Sequence, residues 1–409
     1  MAGRTQVRVV TNDQDVFDVM ELDYSSDMMI VGDEQHLSIS NYRGRYTDKL
    51  PLGSLVSLFM SHPEVDGGAQ TLRHYGRIIR REAESSTTAG SVIRLTTADL
   101  GWHLAKCCAP LWFNLEQGTD RDLLDPERSR PGRTGRKNHF IDPSFGLKGF
   151  RGSNKVNRQR KQSLSAARAL ALNEALKLFA IQVEPGDLIL DKQLEYAKRH
   201  NLLVNVSVDG YVQAWIPDYE RKPSYRIIRR GGNSNVISGK RIEDAQTQYT
   251  EVECVGEQFD FQGDNDDKTG PNAGKKRGKF TSAMAPDGQK SSLPFLHRHT
   301  FADPDMYEKK YAQQHAEWAY KRGLFDSFSL EYVVLDHHQD GLWWESDTMV
   351  SVDDEDLGVV GNFYCQRVSC PVSPRSGNTT TVLLRKPGLL TAFGGDYPGA
   401  PPAVIGGKL

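Results

Sequence analysis

Residues 327–387 decide the fold: SFSLEYVVLDHHQDGLWWESDTMVSVDDEDLGVVGNFYCQRVSCPVSPRSGNTTTVLLRKP. Apolar and polar residues alternate there in short runs, which is the pattern of half-buried β-strands. Turn sequences separate the runs, among them Leu357-Gly358-Val359 and Gly377-Asn378. The stretch predicts a hairpin carrying Leu342-Trp343, then a V-x-V-D strand, an F-Y-C-Q-R-V strand and a final V-L-L strand. This order is typical of a β-barrel.

A helix is predicted immediately before this stretch, over residues 305–322. Asp303 serves as its cap, Pro304 suits the first helical position, and Gly323 is the expected C-terminal stop. Aromatic and alanine side chains recur at helical spacing and give the helix one packable side.

The segment from residue 7 to about 105 also predicts strands, separated by polar or Gly-rich turns at hairpin spacing. Asp99 is the expected cap of a short helix that follows it. The two β-rich blocks are therefore interpreted as two copies of one barrel topology whose sequences are no longer similar. The apolar runs of the first block are Val7-Val9, Phe17-Val19-Leu22, Leu37-Ile39, Leu55-Phe59, Tyr75-Ile79 and Val92-Leu95.

The middle of the chain predicts a small α+β unit. Helices are expected over residues 163–181 and 191–200, and Asp209-Gly210 predicts a two-residue hairpin turn. That turn would place Val206 opposite Gln213 and Val204 opposite Trp215. The expected organisation is a mainly β protein with α+β insertions, in which two barrel domains flank a small α/β middle domain. The first barrel is expected over residues 1–110, and a basic loop-rich insertion over 111–162 separates it from the middle domain at 163–220. The second barrel, with one helix, is expected over 221–261 and 294–387. A solvent-exposed excursion over 262–293 interrupts it, and an extended Gly/Pro-rich tail follows at 388–409.

Composition excludes several classes of protein. The chain has 409 residues, a hydrophobic content of 38% and a net charge of -2, so nothing drives it as a whole toward nucleic acid. The first residues, MAGRTQVRVVTND, lack the apolar core of a secretory signal, and no apolar run approaches the ~20 residues of a membrane span. Five cysteines without CxxC spacing favour a reducing compartment, with Cys365 and Cys370 as buried small side chains.

Charge is distributed unevenly along the chain. Residues 121–161 carry twelve Lys/Arg and four Asp/Glu, whereas residues 331–360 carry nine Asp/Glu and no Lys/Arg. Phe140, Phe145 and Phe150 interleave with the basic charges, as a platform for stacking nucleic-acid bases would require. A loop that docks on an acidic partner, or a solvated loop, is preferred to nucleic-acid binding as the interpretation of the basic segment.

No enzymatic signature is present in the sequence. GxxxxGK[ST], GxSxG and HExxH are all missing, and the adjacent glycines of Arg229-Arg230-Gly231-Gly232-Asn233 indicate a turn. The acidic run Asp353-Asp354-Glu355-Asp356 lacks EF-hand spacing. It could contribute to a carboxylate pair for glycoside hydrolysis, but a turn between strands is the simpler interpretation.

Two pairs of histidines are candidate metal ligands. His297 and His299 would share one face of a strand, and His337-His338 have Asp336 and Asp340 nearby. No third ligand at fixed spacing accompanies either pair. The interpretation preferred from the sequence is solvated turn histidines, with no metal, cofactor or catalytic residue.

The order of these patterns resembles the Mu-like hub, or late-control D, family of tailed-bacteriophage baseplate hub proteins. The C-terminal strand order carries the resemblance, supported by HYGRIIRRE and IRLTTADLGWHL in residues 74–104 and by QLEYAKRHNLLVNVSVDGYVQAWIPD in residues 193–218. Two further segments add to it, QTQYTEVECVGEQ (246–258) and YAQQHAEWAYKRGLFDSFSLEYVVLDHHQDGLWWESDTMVSVDD (311–354). The insertions at 114–162 and 262–293, and the tail after Pro387, are long for that family.

The resemblance implies two tail-tube-like barrels per chain, three copies in a ring, and a structural, non-enzymatic role in the virion tail baseplate after assembly in the host cytoplasm. It implies as partners two further copies of the chain, the central spike and the tail tube or distal tail protein, with tape-measure and wedge proteins as additional contacts. DNA would pass through the lumen without specific binding, and the acidic residues 331–360 would repel it. A tail-associated cell-wall hydrolase and a carbohydrate-binding adhesin remain alternatives.

Overall fold

The structure is a computed structural model. It describes residues 5–108, 184–256, 280–283, 293–303 and 309–390, with gaps at 13, 17, 87–89, 189, 192–193, 195–202, 209–211, 216 and 374–376. The described chain is mainly β, as predicted from the sequence. Among its helices, none is long and apolar enough to cross a membrane.

Seven strands and a short helix form the N-terminal part. Strand β5 shows why the sequence folds in this way, because its residues alternate between partly buried and buried as the side chains point to opposite faces. The elements are β1 (Gln6–Thr11), β2 (Gln14–Val16), β3 (Val19–Asp27), β4 (Glu34–Ser40), β5 (Leu55–Ser61), β6 (Thr71–Ser86), β7 (Gly90–Asp99) and α1 (Trp102–Lys106).

The remaining elements follow the undescribed residues 109–183. They are β8 (Leu203–Val206), β9 (Val212–Trp215), β10 (Tyr225–Arg230), β11 (Asn233–Ser234), β12 (Val236–Glu243), β13 (Glu251–Gly256), β14 (Phe280–Ala283), β15 (Arg298–Asp303), α2 (Lys309–Asp326), β16 (Phe328–Leu335), β17 (His338–Gln339), β18 (Leu342–Trp343), β19 (Thr348–Asp354), β20 (Val359–Val372) and β21 (Thr379–Arg385).

One large sheet contains two units of six strands with the same strand order. The first unit has the order β1-β5-β6-β7-β4-β3, and the second has β10-β19-β20-β21-β16-β12. Numbered along the chain within each unit, both orders are 1-4-5-6-3-2. The two end strands of each unit also come into contact, β1 with β3 and β10 with β12, so each unit curls toward a closed barrel.

The apolar side chains of both units join in one core. Ile39 and Leu58 of the first unit and Ile227 and Leu330 of the second are among its fully buried members. Trp344 fills the space beside β10 and stacks on Tyr225, with ring centroids 4.2 Å apart. The same strand order and the shared core support the two-barrel expectation, while the segment boundaries predicted from the sequence stay a prediction.

A smaller sheet of order β14-β13-β15 lies between β12 and β16 in the chain, and α2 packs on it. The sequence predicted that β13 belongs to the second barrel and that residues 262–293 are an excursion. Both expectations are wrong in part, because β13 pairs with β14 and β15, and β14 lies inside 262–293. The turn predicted at residues 229–233 is confirmed as the β10–β11 hairpin.

The C-terminal stop predicted at Gly323 is also wrong, since α2 continues to Asp326. A Cβ at residue 323 would lie 2.6 Å from the carbonyl oxygen of Thr247 and 3.0 Å from the Tyr249 ring. Glycine is therefore required for close packing of the helix rather than for ending it.

The predicted hairpin of the middle segment exists, but its register is wrong by one residue. Val206 lies opposite Val212 and Val204 opposite Ala214, so five residues rather than two connect the strands. The buried Asn205 side chain donates a hydrogen bond to the carbonyl oxygen of Asp27, which anchors β8 to the end of β3.

Several expectations concern residues outside the described ranges. These are the basic segment 121–161 with Phe140, Phe145 and Phe150, the helix over 163–181, most of 262–293 and the tail from 391 onward. At the start of the tail, Leu389 and Leu390 are described and buried against Phe325, Met349 and Tyr364, so the predicted extended segment does not begin at residue 388.

Candidate subunit interface and clustered polar residues

Strand β20 joins the two units into one sheet. Its N-terminal half pairs with β19, and its C-terminal half, residues 367–372, pairs with β3 of the first unit. Since β21 pairs with residues 364–369 of the same strand, β19 and β3 must share the opposite edge. One edge of β20 is thus paired along nearly its whole length, and the other edge is paired with β21 over residues 364–369.

Strand β6 holds the corresponding place in the first unit. It pairs with β5 only as far as Arg77, while β7 follows the other edge to the hairpin tip. Backbone bonds from Gly53 and Ser54 to Ile78 continue the β5 side by one residue. From residue 80 to 85, no strand in the described part of the chain pairs with this edge, and most of these side chains are exposed.

Strand β12 is the counterpart of β3. Within the described ranges β16 is its one strand partner, and β12 is largely exposed along its length. Its Ile237 side chain is 52% exposed, which is unusual for a β-branched apolar residue in a strand. Among the described residues, each unit therefore contains such a strand with an open edge, β6 in the first unit and β12 in the second.

β-bulges at matching positions show which residues of the two units are equivalent. The bulge between Ile78 and Arg80 in β6 matches the bulge between Cys365 and Arg367 in β20, and those of β3 (Val19/Glu21) and β12 (Val236/Ser238) also match. The pairings of the strands between these two bulge positions connect the first match to the second in each unit. Both matches therefore give the same alignment of the two units, in which Glu82 corresponds to Ser369.

This alignment transfers the β20–β3 register onto β6 and β12. Residues 367–372 pair with residues 27–22 inside the chain, so residues 80–85 correspond to a partner segment running from 244 to 239. The transferred register brings opposite charges together at three places: Arg80 with Asp244, Arg81 with Glu243, and Glu84 with Lys240.

The acidic run at the β19–β20 turn is committed to local structure. Oδ1 of the fully buried Asp354 accepts hydrogen bonds from the backbone N–H groups of Asp356 and Leu357, at 2.9 and 3.0 Å. Asp353 pairs with Arg230 at 2.9 Å, and Asp356 with Arg229 at 2.8 Å. The turn interpretation is confirmed, and this geometry does not favour a hydrolytic carboxylate pair.

The His297 and His299 side chains do lie on one face, where both contact the Tyr249 ring. The ring centroids are 5.1 and 4.7 Å from that of Tyr249, and His299 also stacks on Phe301. This arrangement packs the small sheet, and no metal-binding cluster among the described residues includes either histidine.

The expectation that His337 and His338 are solvated is wrong. Their exposed fractions are 1% and 8%, because the hairpin β17–β18 folds against the first unit. Asp336 and Asp340 lie at its turns with positive φ, at 62° and 52°. His338 instead meets His62 and Glu64, which follow β5, and the candidate ligand atoms of these three residues lie within 4.8 Å of one another.

The overall fold has clear relatives among solved structures. The crystal structure of a tail protein from Neisseria meningitidis has a TM-score of 0.64 and 16% sequence identity, covering 95% of this chain and 98% of its own. A 43 kDa tail protein of prophage MuSo2 from Shewanella oneidensis has a TM-score of 0.66 and 12% identity, covering 94% and 99%. This chain has the fold of phage tail proteins.

A third relative of this tail-protein fold comes from Escherichia coli. It is a component of the type VI secretion system, described as structurally similar to the T4 bacteriophage tail proteins gp27 and gp5. It has a TM-score of 0.51 and 6% identity, covering 94% of this chain and 78% of its own. No protein-family model and no curated protein matches the chain in sequence. Fold comparison therefore detects a similarity that sequence comparison does not.

This chain has three carboxyl side chains close to the β20–β3 junction, those of Asp27, Asp33 and Asp99. Asp27 accepts hydrogen bonds from the Gln366 side chain on β20, at 3.0 and 3.2 Å, and its backbone N–H donates to Asp33 at 2.9 Å. Burial raises the pKa of Asp33 to about 8 and that of Asp99 to about 6. The Asp99 carboxylate accepts the N–H of Gly101 at 2.7 Å, but Gly101 is the N-cap of α1, so the prediction that Asp99 caps this helix is wrong.

Sequence reasoning missed the residues that now matter most. His62 and Glu64 carry no recognisable spacing to His338, because the fold brings them together from positions about 275 residues apart. The segments 80–85 and 239–244 carry charges of both signs, but nothing in this pattern marks them as open strand edges. Only the pairing of β20 with β3 shows which edges remain without a partner.

Proposed function

We propose that this protein is a structural component of a phage tail, the baseplate hub, in which three copies form a ring of six barrel units. The observation that carries the proposal is the paired edge of β20 together with the open edges of β6 and β12. Inside one chain, the fifth strand of unit two pairs with the second strand of unit one. Between chains, the fifth strand of unit one would pair in the same way with the second strand of unit two.

This contact uses two different surfaces of each copy. Such a head-to-tail interface generates a closed ring when the rotation between successive units closes, and a filament when it does not. Because the strand pairing between chains equals the pairing inside a chain, the rotation from each barrel unit to the next is nearly the same around the proposed ring. Three chains then supply six similar units, the number implied by the hub family that the sequence resembles.

Pairing of these edges also solves a physical problem for the free chain. An exposed strand edge presents unpaired N–H and C=O groups and invites uncontrolled association. The charges on both edges make a wrong partner unfavourable and the transferred register favourable. The fold similarity to phage tail proteins supports this assignment.

The proposed partners are those of a hub: further copies of the chain, a central spike on one side and the tail tube or distal tail protein on the other. Tape-measure and wedge proteins are proposed additional contacts, in a virion tail assembled in the host cytoplasm. Arginines already pair with some acidic residues of 331–360, including Arg73 with Glu345 at 2.9 Å. These ion pairs neutralise part of the acidic charge, so the expected repulsion of DNA is weaker. DNA is proposed to pass through the lumen without specific binding.

The proposed role is non-enzymatic. The carboxylates that a hydrolase would most simply use, Asp353 and Asp354, are occupied by Arg230 and by backbone N–H groups. We expect no clearing on a cell-wall zymogram. A lysis band from the purified protein would reverse this part of the proposal.

Disulfide trapping tests the interface directly. In a background with Cys107 and Cys108 replaced by Ser, the pair Glu84→Cys and Lys240→Cys places two thiols opposite each other across the proposed ladder. Directly opposite residues in antiparallel strands have Cα atoms about 4.5–5.5 Å apart, which suits a disulfide. On oxidation we expect crosslinked species up to three times 45.8 kDa, which reducing agent returns to single chains.

The matched control is Glu84→Cys with Arg241→Cys, because the shift by one residue turns the second thiol to the other face of the strand. Each single-cysteine variant is a further control. Equal crosslinking of the test pair and the shifted pair would contradict the register. A strict monomer at all concentrations, with no crosslink from either pair, would contradict the ring.

A further inference from the structure

His62, Glu64 and His338 form a cluster that joins the two units. His62 and Glu64 lie in the loop after β5 of the first unit, whereas His338 begins β17 in the hairpin between β16 and β19 of the second unit. We propose that these three side chains bind a divalent transition-metal ion of the Zn²⁺ class. Two imidazoles and one carboxylate leave a fourth tetrahedral position for water or another ligand.

Backbone contacts hold the two loops together. The N–H of Val65 donates to the carbonyl oxygen of His62 at 3.0 Å, and buried Val65 anchors the turn that contains Glu64. At the hairpin tip, Gly341 has a φ of 76°, and a Cβ at this position would lie 3.3 Å from the carbonyl oxygen of Glu64. The ligands are therefore presented by packed turns of both units.

Burial gives the cluster its chemical character. The His62 and His338 side chains are 2% and 8% exposed, and their ring centroids lie 4.2 Å apart. Nδ1 of His338 is buried without a hydrogen-bond partner among the described residues. A buried polar atom without a partner costs free energy, which a metal bond would offset.

The spacing of the ligand atoms also suits a metal. Nε2 of His338 lies 3.9 Å from the Glu64 carboxylate, too far for a hydrogen bond but suitable for two ligands of one ion.

A small movement of the Glu64 side chain would bring the three ligand atoms close enough to bind one ion. Ligand atoms of a tetrahedral ion with bonds of about 2.0–2.1 Å lie closer together than the present 4.8 Å limit. The Glu64 side chain is 62% exposed and can close this distance by rotation. Nδ1 of His62 accepts the Glu64 N–H at 3.2 Å, and coordination through this atom would replace that long bond.

His337, although adjacent, is assigned no ligand role. Its Nδ1 bonds with the Thr5 hydroxyl at 2.9 Å on the opposite side of the hairpin. Among the described residues, the His62, Glu64 and His338 group is the one cluster with metal-binding geometry. Its location away from the β6 and β12 edges makes it separate from the proposed subunit interface.

Metal titration of the full-length protein tests the proposal. After removal of bound metal with chelator, Co²⁺ is added and its visible absorption recorded, followed by displacement with Zn²⁺. We expect one ion per chain with the absorption of a four-coordinate site, and a thermal midpoint that rises with Zn²⁺ concentration because the ion binds only the folded chain.

Glu64→Gln is the decisive variant, since an exposed residue can be changed without unfolding the protein. It should weaken binding of Co²⁺ at least tenfold, and His338→Gln should abolish it. His299→Gln, in the aromatic stack of the small sheet, is the matched control and should bind as the unchanged protein does. No one-to-one binding, or equal binding by the Glu64→Gln and His299→Gln variants, would overturn the proposal.

Discussion

Strands β20 and β6 occupy the same position in their units but differ at one edge. β20 is bonded on both sides, because β3 continues the edge that β19 leaves. β6 has β5 up to Arg77, and beyond residue 80 no described strand takes its place. In the proposed ring, this strand position pairs with the next unit, inside the chain for β20 and between chains for β6.

A second difference concerns the strands that close the units. β1 runs antiparallel to β5, whereas the equivalent β10 runs parallel to β19. The other five strands of each unit pair antiparallel in the same order. The conserved part of the repeat is therefore the five-strand ladder, while the closing strand can run in either direction as long as its backbone groups find partners.

Proline substitution should separate the two edges most strongly. In β20, Val368→Pro and Ser369→Pro each remove a ladder bond, since both residues pair with β3 and β21. We expect a loss of about 3 kcal/mol for each. In β6, the aligned changes are Arg81→Pro and Glu82→Pro. Because successive N–H groups point to opposite edges, only one of these two should cost that much, and the other should cost under about 1 kcal/mol.

Urea unfolding of the monomer measures these four free energies. The tolerated β6 variant should nevertheless lose the disulfide-trapped ring, because its missing N–H faces the proposed partner strand. Large losses for both β6 variants would mean that the edge is already bonded within the chain.

A pH series should sharpen the picture of the junction inside the chain. Burial raises the pKa of Asp33 from its ordinary 3.8 to about 8. The stability that depends on the neutral carboxyl is then fully present below about pH 4 and is lost as pH rises through 8. Asp33→Asn should be more stable than the unchanged protein at pH 9, by about 1 kcal/mol because partial exposure screens the charge.

Thermal unfolding at pH 5 and pH 9 checks the sign of this effect. Glu34→Gln, at the exposed start of β4, is the control and should leave the pH dependence unchanged. An Asp33→Asn variant that loses stability equally at both pH values would show that the side chain acts only through its hydrogen bond to Asp27.

The smallest expected effect is a charge exchange across the open edges. Lys240→Glu alone places like charges opposite each other in the transferred register, which should weaken each interface by about 0.2–1 kcal/mol. The double variant Lys240→Glu with Glu84→Lys should recover the loss. Sedimentation at low salt measures the association, and additive effects of the two changes would contradict their pairing.

Much of the fold could be predicted because local patterns in the sequence determine it. Alternation in β5 and β19 and the glycines of the β10–β11 turn have direct structural causes, and the structure confirms them. Predictions failed where distant contacts decide. Residue 323 is a glycine within a helix because the Thr247 carbonyl oxygen approaches it closely, and β8 is anchored by the bond between Asn205 and Asp27.

The candidate sites were harder to predict than the strands. His337 and His338 were interpreted as solvated because a hairpin turn is usually exposed, but here the hairpin packs on another unit. The open edges are a property of pairing between strands far apart in sequence. Such pairing leaves no periodic signal that a single sequence can show.

The continuity of the large sheet through β20 has a mechanical consequence. Because β20 runs from one unit into the other and pairs there with β3 over residues 367–372, a force that separates the units must break several ladder bonds. A flexible linker would instead yield at one point. Each chain should therefore behave under tension as a stiff segment that passes load from one barrel to the next.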